Sequence, residues 1–172
     1  MITYAMNTFS ISNPPIQISS LEAAREVDHS VYDGIITIEN TEIEYPLRVH
    51  KSECSQLILR FDDITFPVDD WVEPSTKHIE RALAFWENSN KRSVLIHCHM
   101  GVSRSSGIAF AIIAKEVGSG KEQEAVKLLE RINPYCAPNS LLVWLTDELL
   151  DRGGKLYRTA EKHDPFTGSY KG

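Results

Sequence analysis

The residues best suited to chemistry fall in one stretch, His97-Cys98-His99-Met100-Gly101-Val102-Ser103-Arg104-Ser105. Before it, Ser93 to Cys98 (SVLIHC) contains a continuous apolar run, which predicts a strand covered on both faces. After it, residues 105–117 (SSGIAFAIIAKEV) are apolar nearly all round, which predicts a buried helix, and Gly118 and Gly120 end it. Cys98 is therefore expected at the carboxyl end of a strand, where open α/β sheets bind ligands. A helix N-terminus offers unpaired N–H groups and a positive dipole end, and a loop wrapped around it can aim further N–H groups inward as an anion nest. The field that attracts phosphate also favours thiolate, and cysteines so placed have pKa values lowered to ~3.5–7.5. A thiolate is a ready nucleophile. Arg104 closes the loop with a planar fork that matches two phosphate oxygens. Gly101 permits close backbone approach or an unusual φ. The Ser105 hydroxyl can donate to the sulfur when Cys98 becomes a leaving group, or serve as an ordinary helix-start hydroxyl.

The pattern Cys98-x5-Arg104-Ser105, with His97 before it and Gly101 at its centre, resembles the signature of the protein tyrosine phosphatase superfamily. Its position in mid-chain, with several helices' worth of sequence after it, resembles the compact dual-specificity branch. The spaced combination RFDDI, IHCHMGVSRS and APNSLL is similar to small bacterial tyrosine-phosphatase-like proteins. The resemblance implies a metal-independent phosphomonoester hydrolase that works through a phosphocysteine, with Cys98 as nucleophile and residues 98–104 cradling the phosphate. It implies no cofactor, and as substrate a phosphorylated protein or a small phosphomonoester. It also implies an aspartate that protonates the leaving oxygen from a loop following an earlier strand. Asp63, directly after the run 56–61, is the first choice, then Asp62, with Asp69 and Asp70 further into the loop. His97 is expected to support the loop and tune Cys98. Asn139, after Pro138, is an N-cap by its position, and the resemblance implies that it also helps order the loop. The loop carries no lysine, which argues against a phosphoinositide substrate.

Other elements must position this loop. Ser19-Ser20-Leu-Glu-Ala-Ala-Arg-Glu reads as a capped short helix ending near Asp28. Asp33 to Ile38 (DGIITI) and Gln56 to Phe61 (QLILRF) read as strands. Pro74 suits a first helical turn, and Ile79, Leu83 and Trp86 continue at helical spacing to Asn88. Helices follow over 121–132 and from Ser140 to Leu150, where Gly153-Gly154 stops the last one. Residues 1–18, broken by Pro14-Pro15, read as irregular, and 39–55 show no pattern. The expected fold is α/β, a central sheet of four or five mostly parallel strands with helices on both faces. Residues 1–164 are expected to form one domain, with 165–172 a disordered tail.

Composition narrows the function. A net charge of −6 over 172 residues lacks the basic face that nucleic acid demands. No window approaches a membrane span. Three scattered cysteines, Cys54, Cys98 and Cys136, do not make a disulfide framework. With no secretory signal visible at Met1-Ile2-Thr3-Tyr4, a cytoplasmic location is expected. Three other activities compete with the phosphatase reading: a non-catalytic phosphate-binding module that kept the loop, a rhodanese-like sulfurtransferase, and a zinc site drawing on His97, His99, His50 and Cys54. The zinc site lacks the paired spacing of structural zinc.

Overall fold

Three of the strands form where the apolar and β-branched runs require them. These are β2 (Gly34–Glu39), β3 (Ser55–Arg60) and β4 (Val94–His97). A further strand, β1 (Ile16–Ser19), lies in the segment expected to be irregular. In the computed structural model, which describes residues 9–89 and 92–163, the four strands make one sheet in the order β1-β4-β2-β3. Every pairing is parallel. β1 is an edge strand entered from Pro14-Pro15, a position where the missing proline N–H costs no ladder bond. The Pro15 carbonyl accepts from the Val94 N–H at 2.9 Å. The register sets Ser19 and Thr37 on either side of His97, at the carboxyl end of the sheet.

The helices are α1 (Leu21–Glu26), α2 (Thr76–Asn88), α3 (Arg104–Val117), α4 (Glu122–Ile132), α5 (Ser140–Leu149) and α6 (Lys155–Glu161). Of the two serines that precede it, Ser20 caps α1, accepting from the Ala23 N–H at 3.1 Å. Pro74 lies just before the Ser75 N-cap of α2, not in its first turn. Sequence alone did not suggest α6. Gly153 and Gly154 turn the chain with φ of 59° and 79°, and a new helix starts beyond them. Asp147 caps that helix in place of the side chain glycine lacks, accepting from the Gly154 and Tyr157 N–H groups at 2.6 and 3.0 Å.

Alternation along β2 and β4 sends Ile36, Ile38, Val94 and Ile96 into a large core with α2–α6, and Ile35 and Leu95 into a smaller one with α1. Helices thus cover both faces, unequally. Burial of each such side chain stabilises by ~1.5–3 kcal/mol. Twelve of the fourteen α3 residues are buried, so the helix that follows the chemical loop is held on all sides. α5 crosses α3 closely at Gly107, where a Cβ would come within 2.6 Å of Leu142 Cδ1.

The patternless 39–55 segment is ordered by polar groups. Glu39, 2 % exposed, accepts from Arg48 at 2.8 Å and from Arg60 at 2.7 Å. Burial by itself raises the Glu39 carboxyl, and the two arginines outweigh it and hold it below its usual range. Gln56 donates to the Thr37 hydroxyl and the Leu47 carbonyl and accepts from the Val49 N–H. Residues 165–172, expected to form a tail, lie outside the described residues. No helix among the described residues is long and apolar enough to cross a membrane.

Candidate active site

The carboxyl end of β4 and the first turn of α3 hold residues 98–104 between them. Cys98 is buried, with 3 % exposure. Its sulfur accepts from the Gly101 N–H at 3.3 Å and lies 3.2 Å from the Ser105 hydroxyl. Both neighbours stabilise negative charge on sulfur. Gly101 uses both freedoms of glycine. Its φ is +74°, and a Cβ there would sit 2.6 Å from the Ser19 carbonyl carbon. The loop is pinned to the start of α1, where the Leu21 N–H donates to the His99 carbonyl at 3.0 Å. His99 and Met100 face outward, and Met100 is 69 % exposed.

Arg104 is buried, at 4 % exposure. Its Nη1 donates to Asn40 Oδ1 at 2.6 Å and to the Phe61 carbonyl at 3.0 Å. Its Nε is buried and has no hydrogen-bond partner among the described residues. An unpaired donor on a buried cation costs roughly 1–3 kcal/mol or more, so few are kept without a use. Arg104 therefore has one edge of its fork fixed by protein and an Nε donor that no described protein group satisfies. Asn40 had no signal in the sequence, since a lone asparagine after a strand reads as a turn.

His97 sits beneath the loop in a chain of hydrogen bonds with one consistent polarity. Gln56 Nε2 donates to the Thr37 hydroxyl oxygen at 2.7 Å, which leaves the Thr37 O–H to donate to His97 Nε2 at 2.9 Å. His97 Nδ1–H then donates to the Cys98 carbonyl at 3.3 Å. Burial disfavours the charged ring more than its other contacts favour it, and lowers its pKa to about 4. The imidazole is thus neutral and holds the Cys98 backbone carbonyl. With both nitrogens so engaged, His97 offers no lone pair to zinc. Among the described residues no group of three or more His, Cys, Asp or Glu side chains could hold a metal ion.

The structure distinguishes the four candidate aspartates by environment. Asp62 turns inward, at 6 % exposure, and both its oxygens are engaged. Oδ1 accepts from the Thr41 N–H, and Oδ2 accepts from the Thr41 hydroxyl and the Val72 N–H. Burial pushes its carboxyl up, but these donors and the Arg104 charge outweigh burial and hold it below the usual carboxylate range. Asp69 and Asp70 are exposed, and Asp70 has a left-handed φ of 66°. Asp63 is exposed and adjoins the loop. Its Oδ1 accepts from the Ser103 hydroxyl at 2.7 Å and from Asn139 Nδ2 at 2.9 Å. Oδ2 has no hydrogen-bond partner among the described residues.

Asn139 joins three parts of the site. Its Oδ1 caps α5 by accepting from the Leu142 N–H at 3.1 Å. Its Nδ2 reaches Asp63 and the Ile64 carbonyl, and its backbone N–H donates to the Ser103 carbonyl at 3.2 Å. The side chain caps α5 and ties it to the 63–64 segment, and the backbone N–H links it to the loop. Asn133 supports the loop from α4's end, donating to the Gly101 carbonyl at 2.9 Å, and no motif marked it.

No protein-family model matches this chain. Over 69 residues it is 35% identical to mouse dual specificity protein phosphatase 12. That stretch is 39% of this chain and spans 20% of the mouse protein. Solved structures match over most of the chain. The active form of Tk-PTP superposes with a TM-score of 0.61 at 21% identity, covering 87% of this chain and 99% of the other. Human DUSP28 gives 0.62 at 16% identity, covering 81% and 93%. The human tyrosine phosphatase-like serine/threonine/tyrosine-interacting protein gives 0.62 at 20% identity, with the same two coverages. The chain has the fold of the tyrosine and dual-specificity phosphatases, as the sequence resemblance implied.

Proposed function

We propose that the protein is a metal-independent phosphomonoester hydrolase acting through a phosphocysteine on Cys98. The observation that carries this reading is the pairing, within one loop, of a buried sulfur that accepts hydrogen bonds and a buried guanidinium whose Nε has no partner. In the first step Cys98 Sγ bonds to phosphorus as the P–O bond to the leaving group breaks. The proton on Asp63 passes to the leaving oxygen. In the second step water attacks phosphorus and gives its proton to Asp63. The S–P bond then breaks, with Ser105 donating to the departing thiolate. Arg104 and the loop N–H groups hold the equatorial oxygens throughout. Asp63 is preferred over Asp62 because its Oδ2 is open and Asp62 has both oxygens engaged as acceptors. Residues 1–164 are read as one catalytic unit, and the substrate as a phosphorylated protein or small phosphomonoester met in the cytoplasm.

The test is hydrolysis of para-nitrophenyl phosphate near pH 6 with EDTA, in wild type and Cys98→Ser. Turnover that vanishes in the mutant is expected. A folded wild type that binds vanadate without turnover would favour a phosphate-binding module, persulfide formation from thiosulfate would favour a sulfurtransferase, and failure to bind any oxyanion would remove the reading.

A further inference from the structure

A cavity of about 640 Å³ lies beside the proposed site. Its walls are the 63–66 segment, Ser103, residues 137–140, Val143 of α5, and Tyr157, Ala160 and Glu161 of α6. It shares Asp63 and Asn139 with the site itself. Because Asp63 is read as the donor to the leaving oxygen, this cavity lies on the side where the rest of the substrate leaves the phosphate.

The chemistry of the lining selects an occupant. Ile64, Phe66, Val143, Tyr157 and Ala160 make apolar and aromatic walls, and Phe66 is 67 % exposed to the opening. The charges are two carboxylates, Asp63 and Glu161, and among the described residues no lysine or arginine lines the cavity. The Glu161 carboxylate lies close enough to the Tyr157 hydroxyl to push its pKa up, which sets negative charge beside the aromatic wall. An anionic group is repelled there. A purely apolar group leaves the carboxylates unanswered. A cation on an aliphatic stem satisfies both halves of the lining, with the stem against the walls and the head near the carboxylates and the face of Tyr157 or Phe66. The volume is within the range of small-ligand sites and is ample for one long side chain.

We propose that this cavity is a subsite for a lysine or arginine side chain next to the phosphorylated residue of a protein substrate. The inference rests on the phosphatase reading for its meaning, but binding tests it separately. Two non-hydrolysable phosphonate peptides, alike except that arginine or glutamate flanks the phosphotyrosine mimic, would be titrated against the full chain at fixed ionic strength. The arginine peptide is expected to bind roughly tenfold more tightly, as for a partly desolvated cation over an aromatic ring beside a carboxylate. Glu161→Lys should abolish or invert that ratio, and Tyr157→Leu should reduce it. Glu80→Gln, exposed on α2 and lining neither this cavity nor the one that holds Cys98 and Arg104, should leave it standing. Equal affinity of the two peptides, or a preference unmoved by Glu161→Lys, overturns the subsite. So does faster turnover of a phosphatidylinositol monophosphate in neutral vesicles than of an arginine-flanked phosphopeptide. Absence of para-nitrophenyl phosphate turnover, together with an intact arginine preference, would instead remove the enzymatic reading and leave a recognition module for basic phosphopeptides.

Discussion

Substituting Asn139 separates two functions of one side chain. In Asn139→Ala the Leu142 N–H loses its cap, at about 1 kcal/mol. The buried Ile64 carbonyl also loses its donor, at roughly 1–3 kcal/mol. Together these predict a loss of roughly 2–4 kcal/mol, or a melting point lower by roughly 5–15 °C for a chain of this size. Asn139→Asp keeps an acceptor for Leu142 and removes the donor. It also sets a carboxylate oxygen against Asp63 Oδ1 and the Ile64 carbonyl, so its melting point should be no higher than that of alanine despite the retained cap. Both variants release Asp63. General acid catalysis supplies ~10²–10⁴ in rate, and a displaced acid should forfeit roughly tenfold or more of it on an alkyl phosphate. With para-nitrophenyl phosphate, whose leaving group needs little help, the loss should be under about threefold. Thermal melts and kcat on the two substrates decide the matter. Equal rate losses on both leaving groups would show that Asn139 shapes the loop without orienting Asp63. An unchanged melting point in Asn139→Ala would refute the cap argument.

Three further outcomes follow from the same geometry. Gly101→Ala must place a Cβ 2.6–2.7 Å from the Ser19–Ser20 backbone at φ +74°, so it should destabilise by at least ~2 kcal/mol and abolish turnover, read by melting and by vanadate binding. Buried His97 has its pKa lowered from 6.5 to about 4, so between those values the unfolded chain binds a proton that the folded chain does not. Wild type should therefore lose stability on acidification from pH 6.5 toward 4, by up to ~1.4 kcal/mol per pH unit, and His97→Gln should flatten that slope in a pH series of denaturant melts. Asn40→Ala frees the Nη1 edge of Arg104, and should raise KM and weaken vanadate binding by roughly tenfold, as for loss of one charge-assisted hydrogen bond. Unchanged vanadate affinity would count against that positioning role.

The chemical loop was legible because its meaning is local. Cys98, Gly101, Arg104 and Ser105 sit at fixed spacing between a strand and a helix whose apolar runs declare themselves. β2, β3, β4 and α2–α5 were legible for the same reason, within a residue or two at their ends. β1 was hidden because four residues behind two prolines carry too little pattern, and only the Val94 edge calls the strand into being. α6 was hidden because its start depends on Asp147 seven residues earlier capping Gly154, while a glycine pair reads as a stop. Thr37, Asn40 and Asn133 are small neutral polar residues with no motif of their own. Their roles come from the register that sets Thr37 against His97 and from loops that meet only in three dimensions. Asp62 and Asp63 are adjacent in sequence and opposite in environment, a difference that only the placement of Thr41 and Val72 reveals.

The most direct test of the central claim is to trap the covalent intermediate. Asp63→Asn would be mixed with para-nitrophenyl phosphate, quenched in acid and digested for mass spectrometry, beside wild type and Cys98→Ser. The proposed mechanism predicts one phosphoryl group on the peptide that contains Cys98, accumulating in Asp63→Asn because the second step has lost its base, and absent from Cys98→Ser. Release of phosphate with no adduct on that peptide, or an adduct on another residue, would contradict it.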